Sequence, residues 1–76
     1  MNYQERITSD HTIMLGKPVI KGTRITVELI LKKMGEGATT DDLLAMYGNL
    51  KKEDILAALN YASEVISGEE MINSTK

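Results

Sequence analysis

The sequence has no cysteine, no tryptophan and no phenylalanine, and only one proline and one histidine. Without cysteine no disulfide can brace a small fold, and nothing points to an oxidising compartment. A structural zinc site wants four Cys or His ligands, and His11 is the single residue of either kind. No apolar run approaches the ~20 residues that cross a bilayer. The first residues, Met1-Asn2-Tyr3-Gln4-Glu5-Arg6, lack the hydrophobic region of a signal peptide. A cytoplasmic protein that keeps off the membrane is expected. Catalytic equipment is equally sparse. His11 stands in a predicted turn and reads as a solvated side chain, not as a general base. Gly16-Lys17 invites comparison with a phosphate-binding loop, which needs a glycine five residues earlier and Ser or Thr next; His11 and Pro18 hold those places. Asp41-Asp42, Glu53-Asp54 and Glu69-Glu70 are acidic pairs, but neighbours on a helix point about 100° apart. The first two pairs also fall where helix starts favour negative charge. The expectation is no enzyme, no cofactor and no metal.

What is present is 76 residues, enough for one domain. A domain of this size buries only about 60–65% of the surface that its unfolded chain exposes. Chains below about 80 residues usually add a disulfide, a metal or a partner. With the first two closed, association with a second copy or another protein is expected. The net charge of −2 is unevenly spread. Residues 1–33 carry Arg6, Lys17, Lys21, Arg24, Lys32 and Lys33 against Glu5, Asp10 and Glu28, a balance of +3. Residues 34–76 balance at −5. A dedicated nucleic-acid binder normally shows a strong basic excess, so ordinary solvated charge is the simpler account of most of these side chains.

The pattern predicts a mainly α fold: an extended arm and β-hairpin over residues 1–25, a three-helix, helix-turn-helix-like unit over 26–68, and a flexible tail over 69–76. Ile7-Thr8 is a short β-type stretch, and Ser9-Asp10-His11-Thr12 a turn. Pro18, which lacks an amide donor, belongs at a strand start or edge. Val19-Ile20 and Thr23-Arg24-Ile25 flank Lys21-Gly22 as a hairpin, with Gly22 left-handed in a three-residue loop. The first helix is capped by Thr26, carries Val27, Ile30, Leu31 and Met34 on one stripe, and ends at Gly35 and Gly37. Leu29 lies opposite that stripe. With Ile7, Val19 and Ile20 on short, open-edged strands, it forms the expected contact with a second chain. Thr39-Thr40-Asp41-Asp42 opens the second helix as a capping box, with Asp where Glu or Gln is usual; Leu43, Leu44 and Tyr47 make its apolar side. The third helix is predicted from about Lys52 to Ser67. Ile55, Leu59, Ala62 and Ile66 lie on its inner face with Ala58 beside them, Glu53, Ala57, Asn60 and Glu64 lie opposite, and Gly68 stops it. Tyr47 and Tyr61 read as core-edge rings, and Met34 and Met46 as core filler.

The block Gly16-Lys17-Pro18-Val19-Ile20-Lys21-Gly22-Thr23-Arg24-Ile25 resembles the prokaryotic domain-of-unknown-function family 433. Arg6-Ile7-Thr8-Ser9-Asp10 before it and Val27-Glu28-Leu29-Ile30-Leu31 after it extend the likeness. It continues through Gly37-Ala38-Thr39, Asp42-Leu43-Leu44, Tyr47, Glu53-Asp54-Ile55 and Ala57-Ala58-Leu59-Asn60-Tyr61-Ala62, nearly the whole chain. The resemblance implies a homeodomain-like or winged-helix-like trihelical fold with a β-containing arm. It also implies a role similar to that of antitoxins, DNA-binding partners of a small PIN-like nuclease. Relatives open the third helix with a Thr-Pro pair, a good cap and first residue. Lys51-Lys52 stands here instead, setting positive charge against the positive end of the dipole; the helix start is either frayed or held by an anion.

Two functions of different classes remain open. A DNA-binding antitoxin-type regulator would lay the third helix in the major groove, with Lys51 and Lys52 on phosphates, Asn60 on an adenine edge, and Lys17, Lys21 and Arg24 adding phosphate contacts from the arm. Against the regulator stand Glu53, Asp54 and Glu64 on or near the same surface; a protein-interaction or dimerisation module without DNA binding is the alternative, favoured by the acidic second half and the tail.

Overall fold

The computed structural model of the chain describes residues 5–73, with side chains through residue 68. Two short strands, β1 (Ile7–Thr8) and β2 (Val19–Ile20), precede three helices, α1 (Val27–Gly35), α2 (Thr40–Met46) and α3 (Lys52–Asn73). The strands pair antiparallel, Ile7 opposite Ile20 and Thr8 opposite Val19. The fold is therefore mainly helical with an N-terminal two-strand hairpin.

The hairpin partner differs from the one expected. Residues 23–25 form no strand; β1 takes that place. The Lys21–Gly22 turn instead carries the chain from β2 into α1. Gly22 has φ of +83°, in the left-handed region that other residues resist. Thr23 folds the rest of the turn: its hydroxyl donates to the Ile20 carbonyl at 2.8 Å and accepts from the Ile25 amide at 3.0 Å. The Ile20 amide donates to the Ile25 carbonyl and the Val27 amide to the Pro18 carbonyl, both at 2.9 Å. Val19–Ile20 thus runs between β1 on one side and residues 25–27 on the other, so its edges are occupied within the chain. Val19 and Ile20 are 0% and 2% exposed, and Ile7 packs against the same core. Val19 and Ile20 were expected at a contact with a second chain; their side chains are used up inside this one. Leu29 is half-buried.

Helix ends follow from local chemistry. The Thr26 hydroxyl accepts from the Leu29 amide at 2.9 Å and starts α1. Glu28 sits in its first turn and Lys32 and Lys33 in its last, as the helix dipole favours. The Gly37 amide donates to the Met34 carbonyl and the Ala38 amide to the Lys33 carbonyl, both at 3.0 Å, a Schellman ending with Gly37 in its left-handed position. The capping box of α2 is complete: Thr39 Oγ1 accepts from the Asp42 amide at 3.1 Å, and Asp42 Oδ2 from the Thr39 amide at 2.8 Å.

The core joins Ile20, Val27, Ile30, Leu43, Leu50, Ile55 and Ala58, edged by Met34, Leu44, Tyr47 and Tyr61. Met46, expected as filler, is 50% exposed. The larger correction concerns α3. It does not stop at Gly68 but continues to Asn73, so residues 69–73 of the expected tail are helical; 74–76 lie outside the described residues. Its inner face is also turned from the predicted one. Ala57 is fully buried and Asp54 nearly so, while Leu59 and Ile66 are exposed. Small alanines let α3 approach its neighbours closely, and a satisfied carboxylate lies beside them.

Candidate functional site

One carboxylate organises the start of α3. Asp54 is 6% exposed. Its Oδ1 accepts from Arg6 Nη1 and its Oδ2 from the Lys51 backbone amide, each at 2.9 Å. Asp54 stands three residues after Lys51, the place from which a capping-box acid reaches back to the residue before the helix. The anion that holds this helix start is thus internal, and it offsets the positive dipole end that Lys51 and Lys52 oppose. A second bond ties the arm in: the Lys21 amide donates to the Arg6 carbonyl at 2.7 Å. The sequence Lys21–Arg6–Asp54–Lys51 is a continuous relay of hydrogen bonds from the glycine turn to α3. A polar cleft of about 410 Å³ lies over it, lined by Glu5, Arg6, Lys21, Gly22 and Asp54.

This geometry sorts the candidate DNA-contacting residues. Lys21, Arg24, Lys51 and Lys52 are exposed. Among the described residues the ion pairs are Arg6–Asp54 and Lys17–Glu28, so those four cations have no carboxylate partner there. The relay brings Lys21 beside the α3 start, and Arg24 belongs to the same turn. Lys17 does not line the cleft; its Nζ is 2.7 Å from Glu28 Oε1, which lowers the Glu28 pKa below its ordinary value. Asn60 is exposed on α3. At 3.6 residues per turn it shares the outward face with Lys52, Leu56, Leu59 and Ser63. Leu56 and Leu59 are 42% and 39% exposed, so that face is half apolar.

Two further carboxylates are held in their charged form by local bonds. The Thr12 amide and then its hydroxyl lower the Asp10 pKa, and the Thr39 amide and hydroxyl do the same for Asp42. Both bonds shape turns. Among the described residues no group of three or more His, Asp or Glu is placed to hold a metal ion, and no helix is long and apolar enough to cross a membrane. Arg6 and Asp54 are the site residues that pattern reading passes over. The signal that could have found them was the missing cap at Lys51-Lys52 with an acid three places on.

Comparison with known proteins agrees with this architecture. The family model for proteins of unknown function (DUF433) matches residues 7–62. The crystal structure of a DUF433 member protein from Anabaena variabilis ATCC 29413 is similar to this chain with a TM-score of 0.78 and 30% identity, over 95% of this chain and 68% of that one. No curated protein matches. With a trihelical unit, a two-strand arm and a family match across all but the ends, the chain belongs to the DUF433 family.

Proposed function

We propose that the chain is a small binding protein of antitoxin type, which contacts DNA through α2 and α3 and holds a protein partner, a PIN-like nuclease, elsewhere on its surface. The observation that carries the DNA half is the relay Lys21–Arg6–Asp54–Lys51. It fixes the glycine turn against the start of α3, the helix that this reading lays in the major groove. Lys21 and Lys51 are thereby drawn together, with Arg24 and Lys52 beside them in the chain and the exposed acids Glu5 and Glu53 on the same end. Phosphate contacts set register and orientation, and Asn60, two turns along the same helix face as Lys52, is suited to an adenine edge. Leu56 between them fits against a thymine methyl group. The nuclease half rests on the family resemblance and on the exposed apolar side chains.

A second reading, protein binding alone, draws on Leu56 and Leu59 standing beside Asn60. A half-apolar outward face is what a helix offers a protein groove. One titration separates the two. The gene's own upstream DNA is added at low salt, with and without the protein encoded beside it. Retardation supports the regulator; its absence under both conditions leaves the interaction module.

A further inference from the structure

Away from the α3 start, the chain keeps an unusual turn at Met14–Gly16. Its three residues have positive φ: 50° at Met14, 58° at Leu15 and 84° at Gly16. Two of them are not glycine, and each such residue is strained there. The turn is braced: the Gly16 amide donates to the Ile13 carbonyl at 3.1 Å and the Ile13 amide to the Asp10 carbonyl at 2.7 Å. Asp10 in turn accepts from the Thr12 amide and hydroxyl. What this bracing holds out is Leu15, 92% exposed, with Met14 at 44% beside it. Glycine at position 15 would take that place in the turn without strain. An apolar side chain kept in a strained conformation, in water, has its use outside its own chain.

Three residues on, the surface becomes a groove. Pro18, Val27, Leu31, Tyr61, Val65 and Ile66 line an open apolar trough of about 330 Å³ between the start of β2, α1 and α3. Val65 and Ile66 are 46% and 61% exposed. A dry cavity of about 150 Å³ takes a benzene ring, so the trough has room for Leu15 and Met14 together. Charge agrees at the seam: Glu28 lines the trough, and Lys17 follows the turn.

We infer that the occupant of this trough is the Leu15 turn of a second copy of the chain, in a reciprocal two-fold dimer. Knob and groove are joined by two residues of chain, Gly16 and Lys17, before Pro18 enters the trough lining. A two-fold axis beside Lys17 and Pro18 therefore sets each knob over the other chain's groove and closes the assembly at two. A standard interface takes about 800 Å² from each partner, roughly one seventh of the 5303 Å² surface of this chain. Lys17, which pairs with Glu28 of its own chain, would lie in this dimer at the seam with the partner chain's copy of that acid. The contact uses the turn and the α1–α3 trough, not strand edges, and it holds whether or not the chain binds DNA.

The test is light scattering after size exclusion of the full chain without DNA, at tens of micromolar. Twice the chain mass of 8.4 kDa is expected. Leu15→Asp and Ile66→Asp should each give the monomer, and Leu56→Asp, on the outward face of α3, should leave the dimer. Leu15→Gly removes the knob together with the strain at its own position, so it folds and should also be monomeric. Because the chain has no cysteine, mixed single variants Leu15→Cys and Ile66→Cys should oxidise to the 15–66 cross-link several-fold more than to either like pair. A monomeric wild type, a dimer that survives Leu15→Gly, a dimer broken by Leu56→Asp, or like pairs in excess would each overturn the proposal.

Discussion

Arg6 and Asp54, 48 positions apart in the chain, meet at 2.9 Å, and their contact joins the N-terminal arm to the first turn of the last helix. Arg6 is the more open partner, its side chain 34% exposed against 8% for Asp54. Removing the arginine leaves a carboxylate in a nearly buried place with only the Lys51 amide on it. Breaking a fully buried pair costs about 3–5 kcal/mol; part exposure and solvent screening reduce that. Arg6→Ala should destabilise by about 1–2 kcal/mol in urea unfolding. Asp54→Ala also uncaps Lys51 and should lose more, by about a further 1 kcal/mol. A loss in Asp54→Ala no larger than that of an ordinary surface substitution would mean that neither the pair nor the cap contributes.

Two turn positions should respond in opposite directions. A Cβ at Gly22 meets nothing within 4 Å, so the cost of Gly22→Val comes from its φ of +83° alone. About 1–2 kcal/mol is expected. Leu15 has the left-handed backbone without the glycine, and its exposed side chain gives up no packing. Leu15→Gly should raise monomer stability by about 1 kcal/mol, less the added freedom of glycine in the unfolded chain. Thermal unfolding at a concentration low enough to keep the protein monomeric checks both signs.

Much of this was legible in the residues because the responsible forces are local. Thr26, Thr39 with Asp42, and Gly22 act on neighbours within four positions, and pattern reading places each of them. The misplaced features all depend on distant partners. Residues 23–25 look as β-prone as Ile7-Thr8, and only the tertiary arrangement decides which of them pairs with β2. Helical spacing sets Ile55, Leu59, Ala62 and Ile66 on one stripe of α3, but the alanines and Asp54 let the helix turn another side to the core, leaving Leu59 and Ile66 exposed. Asp54 could not be set beside the core without knowing that Arg6 arrives from position 6 to neutralise it. Gly68 is a helix stop only where the chain turns, and nothing in α3 requires a turn there. At the candidate site, sequence supplied the cations, while the approach of Lys21 to Lys51 comes from the Arg6–Asp54 contact.

Acid should loosen the α2 start. The Thr39 amide and hydroxyl hold the Asp42 pKa below its ordinary value of 3.8. A carboxylate whose folded pKa is depressed contributes stability that is present above its unfolded value and lost as pH falls through the folded one. The capping box therefore works near neutrality and fails below the usual carboxylate range. Asp10 follows the same sign through Thr12. In melts taken from about pH 6 to about pH 2, Asp42→Asn should flatten the acid limb relative to wild type. An acid limb unchanged in that variant would place the titration elsewhere.

On the proposed function, DNA binding should divide cleanly between charge and base contacts. Each phosphate neutralised releases counterions, and log affinity falls against log salt with a slope near −0.9 per phosphate. The proposed dimer would present Lys51 and Lys52 twice, about four phosphates from α3 alone, with Lys21 and Arg24 adding to these from the glycine turn. Replacing Lys51 and Lys52 together by Ala should flatten the slope by about 3–4 and weaken all sequences alike. Asn60→Ala should leave the slope in place and relax sequence preference, since a base-edge contact releases few counterions. Arg6→Ala is the informative third variant. Arg6 is paired with Asp54, so its loss removes little free charge, but it unties Lys21 from the α3 start. Its slope should therefore fall by less than one while affinity drops, because Lys21 is no longer held beside Lys51. Fluorescence anisotropy on the upstream DNA across a salt series reads all three. A slope near zero for wild type, or one that Lys51 and Lys52 do not change, would move the function to the protein-binding face of Leu56 and Leu59.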